Sequence, residues 1–387
     1  MPIRIVFSGF VVFVVAMGIG RFAYTPQVPL LMMDGQLTLT SAGVVAAFNY
    51  LGYLLGAYDA MRAQRGLERR LQLGLWGAVV LTLLAGLVTQ AWGHSLLRFL
   101  IGWSGGWAVV LVSAWCNDQL LRLKRPALGA LVFTGPGAGL ALSGLLAMGI
   151  HLADLTAQQA WLVYGGVGLL LALTSWRYLP KRGAFTPAAG QVTKLMLTPA
   201  LRRLVVAYGL AGFGYILPAT FLSQMAVARF PDSLFSQFLW PIFGLMSVGG
   251  VLLGILTRDW LTTQTRLALV LWLQALGIAA MVLVPTVWGL VLAAILVGGG
   301  FMSIVQLALQ YGRALAPAHG RYMAGLLTTA YAVGQLVGPM LSAMASALTG
   351  GLTPALVLAG LGLVLAGLLV RWPSSAASSL AEATEAE

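Results

Sequence analysis

The chain has 387 residues, of which 59% are hydrophobic and 8% charged, with a formal net charge of +12. A soluble domain carries about 25% charged residues, so this composition excludes a water-soluble fold. The apolar runs are about 20 residues long and lack the alternation of barrel strands, so the chain reads as an all-α integral membrane protein.

Twelve apolar segments follow in order, at about residues 5–32, 41–61, 71–90, 96–120, 127–150, 158–179, 203–226, 235–257, 266–284, 287–311, 321–347 and 352–372. Most reach the ~20 residues needed to cross a bilayer at about 1.5 Å per residue. The loops alternate in charge. One set holds Arg62, Arg65, Arg69 and Arg70, then Arg122, Lys124 and Arg125, then Arg177 to Arg203, then Arg258 and Arg266, then Arg313 and Arg321. The other set is nearly free of Lys and Arg, with Arg229 as its one basic residue. The positive-inside rule places the basic loops and both termini in the cytoplasm, which accounts for the net charge without a nucleic-acid partner. No cleavable signal peptide is read at the start, because the first apolar run is too long and lacks a cleavage site.

The longest polar interval, about 181–202, divides the chain into an N-terminal six-helix half (1–180) and a C-terminal one (203–373). Phe22-Ala23-Tyr24 with Pro26 in span 1 matches Phe213-Gly214-Tyr215 with Pro218 in span 7, and Thr134-Gly135-Pro136 in span 5 matches Val337-Gly338-Pro339 in span 11. Such echoes are expected of a transporter built from two related halves. The Ser/Ala-rich tail 374–387 reads as disordered.

Span 1 carries the most telling residue. Arg21 lies inside its apolar run, and no Asp or Glu lies inside any apolar segment to neutralise it. A guanidinium at that depth costs a few kcal/mol, so ionisable groups there are functional by default. Its partner is expected among backbone carbonyls, Tyr or Asn side chains, water, or a bound anion. The alternative is a structural Arg that snorkels or caps a carbonyl.

Span 2 brings Asn49 with Tyr50 and Tyr53, and ends in Asp59; the simple reading of Asp59 is an i,i+3 pair with Arg62. Span 4 opens on Arg98, followed by Gly102 and Gly106 at a spacing that suits close helix contact. Trp103, Trp107 and Trp115 of span 4 offer an aromatic cavity wall, with Trp107 fitting an interfacial role least. Span 5 carries Gly135-Pro136, which bends a helix and lets it pack tightly. Gln306 and Gln310 share one face of span 10, and Tyr331 and Gln335 share one face of span 11. Gln224 and Gln237 sit near the ends of spans 7 and 8.

Other chemistries leave no trace. The single cysteine, Cys116, excludes a disulfide and a CxxC metal site, and His94, His151 and His319 are scattered, so no metal or cofactor is expected. There is no nucleophile–base pair and no phosphate loop, which argues against an enzyme and an ATP-driven pump. Asp34, Asp154 and Asp232 fall in outer loops and Asp59, Asp118 and Asp259 at inner ends, so a deep carboxylate proton site is missing. Coupling could then use an outer-end histidine, protonation of the substrate, or exchange of one anion for another at Arg21.

Gly56 to Asp59 with its basic, Gly66-containing loop, the Arg98–Gly102–Gly106 series and Gly135-Pro136-Gly137 resemble the loop, fourth-span and fifth-span motifs of the major facilitator superfamily, over about residues 5–372. The string Gly18-Ile19-Gly20-Arg21-Phe22-Ala23-Tyr24-Thr25-Pro26, followed by Asn49 to Gly56, looks like the YbfB/YjiJ-type branch of bacterial carriers. The spacing of Gly56 to Asp59 departs from the superfamily pattern by one residue. The resemblance implies a fold of twelve transmembrane helices in two six-helix halves, a monomer, and a central cavity lined by spans 1, 4, 7 and 10. It also implies an inner latch at Asp59, Arg62 and Arg65, and gating helices bent at Gly135, Pro136, Gly338 and Pro339.

The expected function is a secondary active transporter of the bacterial inner membrane. It would move a small organic, anionic solute by alternating access, with a leaning towards export from the fifth-span motif. The candidate binding set is Arg21, Tyr24, Gln27, Asn49, Arg98, Trp107, Tyr215, Gln306 and Gln310. The alternative is a proton-antiport efflux pump for hydrophobic compounds, with an aromatic cavity and a structural Arg21. A non-transporting receptor or assembly subunit is a further alternative.

Overall fold

A computed structural model of the chain describes residues 2–181, 183–185, 195–230, 234–349 and 351–372. The expected tail at 374–387, Lys194 of the central segment, Asp232, and the side chains of Gln224 and Arg229 lie outside the described residues. Among the described residues there are twelve long helices and no strands. They are α1 (Pro2–Met33), α2 (Leu39–Arg62), α3 (Leu67–Ala85), α4 (Ala91–Arg122), α5 (Pro126–Leu152) and α6 (Ala157–Ser175) in the first half. The second half holds α7 (Pro199–Arg229), α8 (Leu234–Leu256), α9 (Thr263–Leu283), α10 (Val287–Leu315), α11 (Gly320–Thr349) and α12 (Thr353–Arg371).

Ten of the twelve are long and apolar enough to cross a membrane. The two others are α2, whose apolar run is broken by Asn49, Tyr50, Tyr53 and Tyr58, and α3, which opens on Glu68-Arg69-Arg70. Several helices begin before their apolar runs. Span 4 was expected from about 96 and starts at Ala91, and span 7 from about 203 and starts at Pro199. In span 7 the added turn is capped locally by the Thr198 hydroxyl, which accepts from the Leu201 N–H. Span 3 ends at Ala85 rather than about 90, and Gly86, which caps it, lies close to the Gln158 carbonyl of α6.

Small residues set the closest contacts. Cβ atoms on Gly52 and Gly56 of α2 would stand 1.9 and 2.3 Å from the carbonyls of Phe99 and Trp103, and one on Gly102 of α4 would stand 2.1 Å from the Asn49 carbonyl. The two backbones therefore interlock through reciprocal glycines. The sequence repeat has a spatial counterpart: α1 meets α5 at Gly18 and Gly139, and α7 meets α11 at Gly209 and Gly334.

The halves also touch each other. At the end away from the basic loops, Gly144 of α5 backs onto Pro241 of α8, and Trp240 Nε1 donates to Ser143 Oγ at 3.3 Å. At the basic end, Arg321 of α11 donates to the Ala63 carbonyl at 2.6 Å. On the outside, Leu358, Leu361, Leu365 and Leu368 of α12 are exposed, as a lipid-facing surface requires.

Candidate functional site

Arg21 sits where α1 stops being an α-helix. Residues Val14–Phe22 form a π-helix, with ordinary helix on both sides. A π turn is wider than an α turn and takes carbonyls out of the i→i+4 ladder; such segments are frequent at functional sites. The freed carbonyls are met by Arg98. Its Nη1 donates to Gly20 O at 2.7 Å and to Arg21 O at 3.5 Å, while its guanidinium lies 4.4 Å from the Trp161 ring centre and 4.9 Å from that of Tyr24.

Three more residues of the expected binding set complete this frame. Asn49 Nδ2 donates to the Arg98 carbonyl at 2.9 Å, Tyr24 Oη to the Ala42 carbonyl at 2.9 Å, and Gln27 Nε2 to the Ala157 carbonyl at 3.0 Å. These side chains fix the backbone around Arg21 and are turned to carbonyls.

Arg21 itself is 3% exposed. Its Nη2 donates to Gln335 Oε1 of α11 at 2.7 Å, so the contact spans the two halves. Its guanidinium lies 3.8 Å from the Tyr53 ring centre, a cation–π contact, with the Tyr50 and Phe22 rings at 5.6 and 5.1 Å. Tyr50 Oη in turn meets Thr220 Oγ1 of α7 at 3.2 Å. Two buried donors beside each other have no partner: Arg21 Nε and Gln335 Nε2.

These groups border a cavity of about 10 Å³, walled also by Phe13, Phe133, Phe301 and Tyr331, which is the room needed for about one water. Tyr215 stands behind that wall. It is fully buried, stacked on Phe301 at 4.2 Å, and its hydroxyl has no partner.

No carboxylate among the described residues balances Arg21. Asp34 accepts from the Ala157 N–H at 2.7 Å, Asp118 pairs with Arg122 at 3.1 Å, and Asp259 pairs with Arg258 at 3.2 Å. Asp59 pairs with Arg70 at 2.8 Å and also accepts from Trp107 Nε1 at 2.6 Å. The expected Asp59–Arg62 pair is therefore replaced. Gly66 adopts a positive φ of 66°, which turns the chain so that the first turn of α3 sets Arg70 against Asp59. Arg62 stays over Tyr58 at 5.8 Å, and Arg65 contributes its carbonyl to Arg70 at 2.7 Å. Trp107 thus belongs to this basic-end cluster and does not line the Arg21 cavity.

Gln306 and Gln310 line a different space, a vestibule of about 320 Å³ at the basic end between α4, α5, α8, α9 and α10. Phe133 borders both spaces, so one aromatic ring stands between them. Phe133 lies at a break in α5, between Gly129–Val132 and Thr134–Leu152. Pro136 has no N–H to give the Val132 carbonyl, which favours a break there.

Pro136 itself borders the Arg21 cavity. Gly135 abuts the Phe10 carbonyl of α1, and Gly338 abuts Ile216 of α7. Pro339, four residues after Gln335, likewise deprives the Gln335 carbonyl of its helical donor.

The structure adds Tyr53, Phe133, Phe301, Tyr331, Gln335 and Arg70 to the residues the sequence selected. The face shared by Tyr331 and Gln335 was the visible signal. For Phe133, Phe301 and Arg70 no sequence signal stands out.

The family described as an uncharacterised MFS-type transporter, YbfB, matches residues 13–371. No curated protein matches. Among solved structures, the chain is similar to the human organic anion transporter MFSD10 (TETRAN), with a TM-score of 0.69 and 18% identity over 96% of this chain and 99% of that one. At that identity the likeness shows the fold alone.

Proposed function

Because the chain belongs to the YbfB-type family of MFS transporters, a family of carriers and not of enzymes, we propose that its cargo is a small organic anion, with Arg21 as the charge partner. One observation carries this reading. Arg21 is buried with no carboxylate near it among the described residues, held by the neutral oxygen of Gln335, and it and Gln335 each keep an unpartnered donor. A buried cation without a counter-ion is costly, and a guanidinium recognises carboxylate or phosphate with paired donors. An arriving oxyanion would satisfy Arg21 Nε and Gln335 Nε2 together.

The cavity of about 10 Å³ cannot hold such a solute. Transport would need the halves, residues 1–180 and 203–373, to rock apart around Arg21. The Arg21–Gln335 contact and, beside the Asp59 latch, the Arg321–Ala63 contact would then open and close in turn. The basic loops favour cytoplasmic termini; likeness to the family supports a monomeric carrier of a bacterial inner membrane, and exchange of one anion for another at Arg21 would supply the coupling, with the Gly135-Pro136 motif favouring export of the cargo.

A second reading keeps one support. Phe13, Phe133, Phe301, Met17, Met302 and Tyr331 make the cavity wall largely apolar, which would suit proton-antiport efflux of hydrophobic compounds with Arg21 structural on Tyr53. A thermal-shift screen of the purified protein and Arg21→Ala separates the two. A ligand at a hundredfold excess over its dissociation constant stabilises the folded state by about 2.7 kcal/mol. An organic anion that stabilises only the native protein supports the anion carrier; hydrophobic compounds that stabilise both proteins equally support efflux.

A further inference from the structure

Three guanidiniums meet in the basic-end vestibule, away from Arg21. Arg258, Arg266 and Arg313 line it, with Gln306, Gln310 and Asn117, and none of its lining residues is a carboxylate. Asp259 lies beside it and pairs with Arg258 at 3.2 Å, both side chains more than half exposed. Two lining side chains, each 6% exposed, leave a polar atom without a partner: Arg266 Nε and Gln306 Oε1. Arg266 is fixed in place, since Nη1 donates to the Gly254 carbonyl at 2.6 Å and Nη2 to Thr263 Oγ1 at 3.2 Å. Gln306 Oε1 is 3.6 Å from where a Cβ on Gly254 would stand, and a half-turn of the amide would offer N–H donors instead. Gln306, Gln310 and Arg313 fall on one face of α10 by their spacing.

Like charges gathered in a partly desolvated recess repel one another, and an anion between them relieves the repulsion while filling the open donors. We propose that this vestibule is a second oxyanion site, one that takes the carboxylate or phosphate group of a soluble solute. Its volume of about 320 Å³ suits a small molecule. Phe133 separates it from the Arg21 cavity, so it fills independently of Arg21. Its service as a staging point for transported anion rests on the proposed function; the binding itself does not.

The test uses the full chain in phosphatidylcholine nanodiscs, with citrate and inorganic phosphate as probes. Gln310 is exposed in the vestibule and Cys116 is 2% exposed, so Gln310→Cys gives the one reactive thiol among the described residues. Its maleimide labelling rate reports occupancy. The expected result is slowed labelling by citrate or phosphate. Adding Arg313→Gln raises the half-protecting concentration at least about tenfold, the scale of one charge-assisted contact, and adding Arg21→Gln leaves it unchanged. Should Arg313→Gln fail to fold, Arg258→Gln, at a half-exposed side chain, asks the same question.

Absence of protection in these discs overturns the proposal, including the case where only added phosphatidylglycerol protects, since the occupant is then a lipid headgroup. Equal protection in the Arg313→Gln and Arg258→Gln backgrounds overturns it, as does loss of protection with Arg21→Gln. Protection that persists while no Arg21-dependent binder exists leaves the vestibule site standing and removes the Arg21 reading.

Discussion

Arg21 of α1 and Gln335 of α11 are held together at 2.7 Å across the two halves of the bundle, and Arg21 Nε and Gln335 Nε2 are both buried without a partner. The contact is at once the charge centre of the cavity and a tie between the bodies whose separation the proposed transport cycle requires. Removing the Gln335 amide should therefore act on stability and on conformation. We expect Gln335→Leu to cost about 1–3 kcal/mol, because it strands a buried donor of Arg21. Denaturation of the detergent-solubilised protein checks this; an unchanged midpoint would mean that Arg21 finds another acceptor.

Arg98 is expected to behave as a positioning residue. It donates to the Gly20 carbonyl in the π segment and does not border the Arg21 cavity. Arg98→Ala should lower stability by about 1–3 kcal/mol through the unsatisfied carbonyl. Its preference for an anion over a neutral analogue should remain that of the native protein. Loss of that preference in a folded Arg98→Ala would place Arg98 in contact with the cargo.

The basic-end cluster distinguishes two arginines. Asp59 bonds Arg70 and Trp107, while Arg62 lies over Tyr58. Arg70→Gln should slow flux in liposomes several-fold, and Arg62→Gln should leave it near native. The stability change of either is expected within about 1 kcal/mol, since the pair is partly exposed and screened by solvent. The reverse order in the flux assay would restore Arg62 as the latch partner.

Phe133 is placed to gate the route between cavity and vestibule. Phe133→Ala should join the two spaces and let a maleimide added from the basic end reach a thiol introduced by Met17→Cys, which borders the Arg21 cavity. Labelling of Met17→Cys at equal rates with and without Phe133 would rule out that role.

Close helix contact gives a prediction that is independent of cargo. A Cβ on Gly102 would stand 2.1 Å from the Asn49 carbonyl, while nothing lies within 4 Å of one on Gly166. Gly102→Val should abolish folded protein on size-exclusion chromatography and Gly166→Val should not, because overpacking a backbone contact has no side chain to move aside.

Much of this architecture is legible in the residues themselves. Apolar runs marked all twelve helices, ten of them long and apolar enough to cross a bilayer core by length and composition. Helix ends were less legible, because a polar first turn such as Ala91 to Ser95 is helical without being apolar. Arg21 stood out as a charge in an apolar run. What it touches did not, because Gln335 lies 314 residues away and only the packing of α1 on α11 joins them. The π segment was invisible for a related reason: it is fixed by Arg98 capping carbonyls of another helix. Arg98, Asn49 and Gln306 were polar at the right depth, but depth does not say which face a side chain takes. Arg98 and Asn49 turned to backbone carbonyls, and Gln306 to a second space.

The most direct measurement of the central claim compares an organic acid that binds with its own primary amide, in the native protein and in Arg21→Gln, by calorimetric titration. If Arg21 is the charge partner, the native protein prefers the acid by about 1.5–3 kcal/mol, and Arg21→Gln loses that preference while still binding the amide. An equal preference for acid over amide in both proteins would contradict the account and leave Arg21 a structural cation resting on Tyr53.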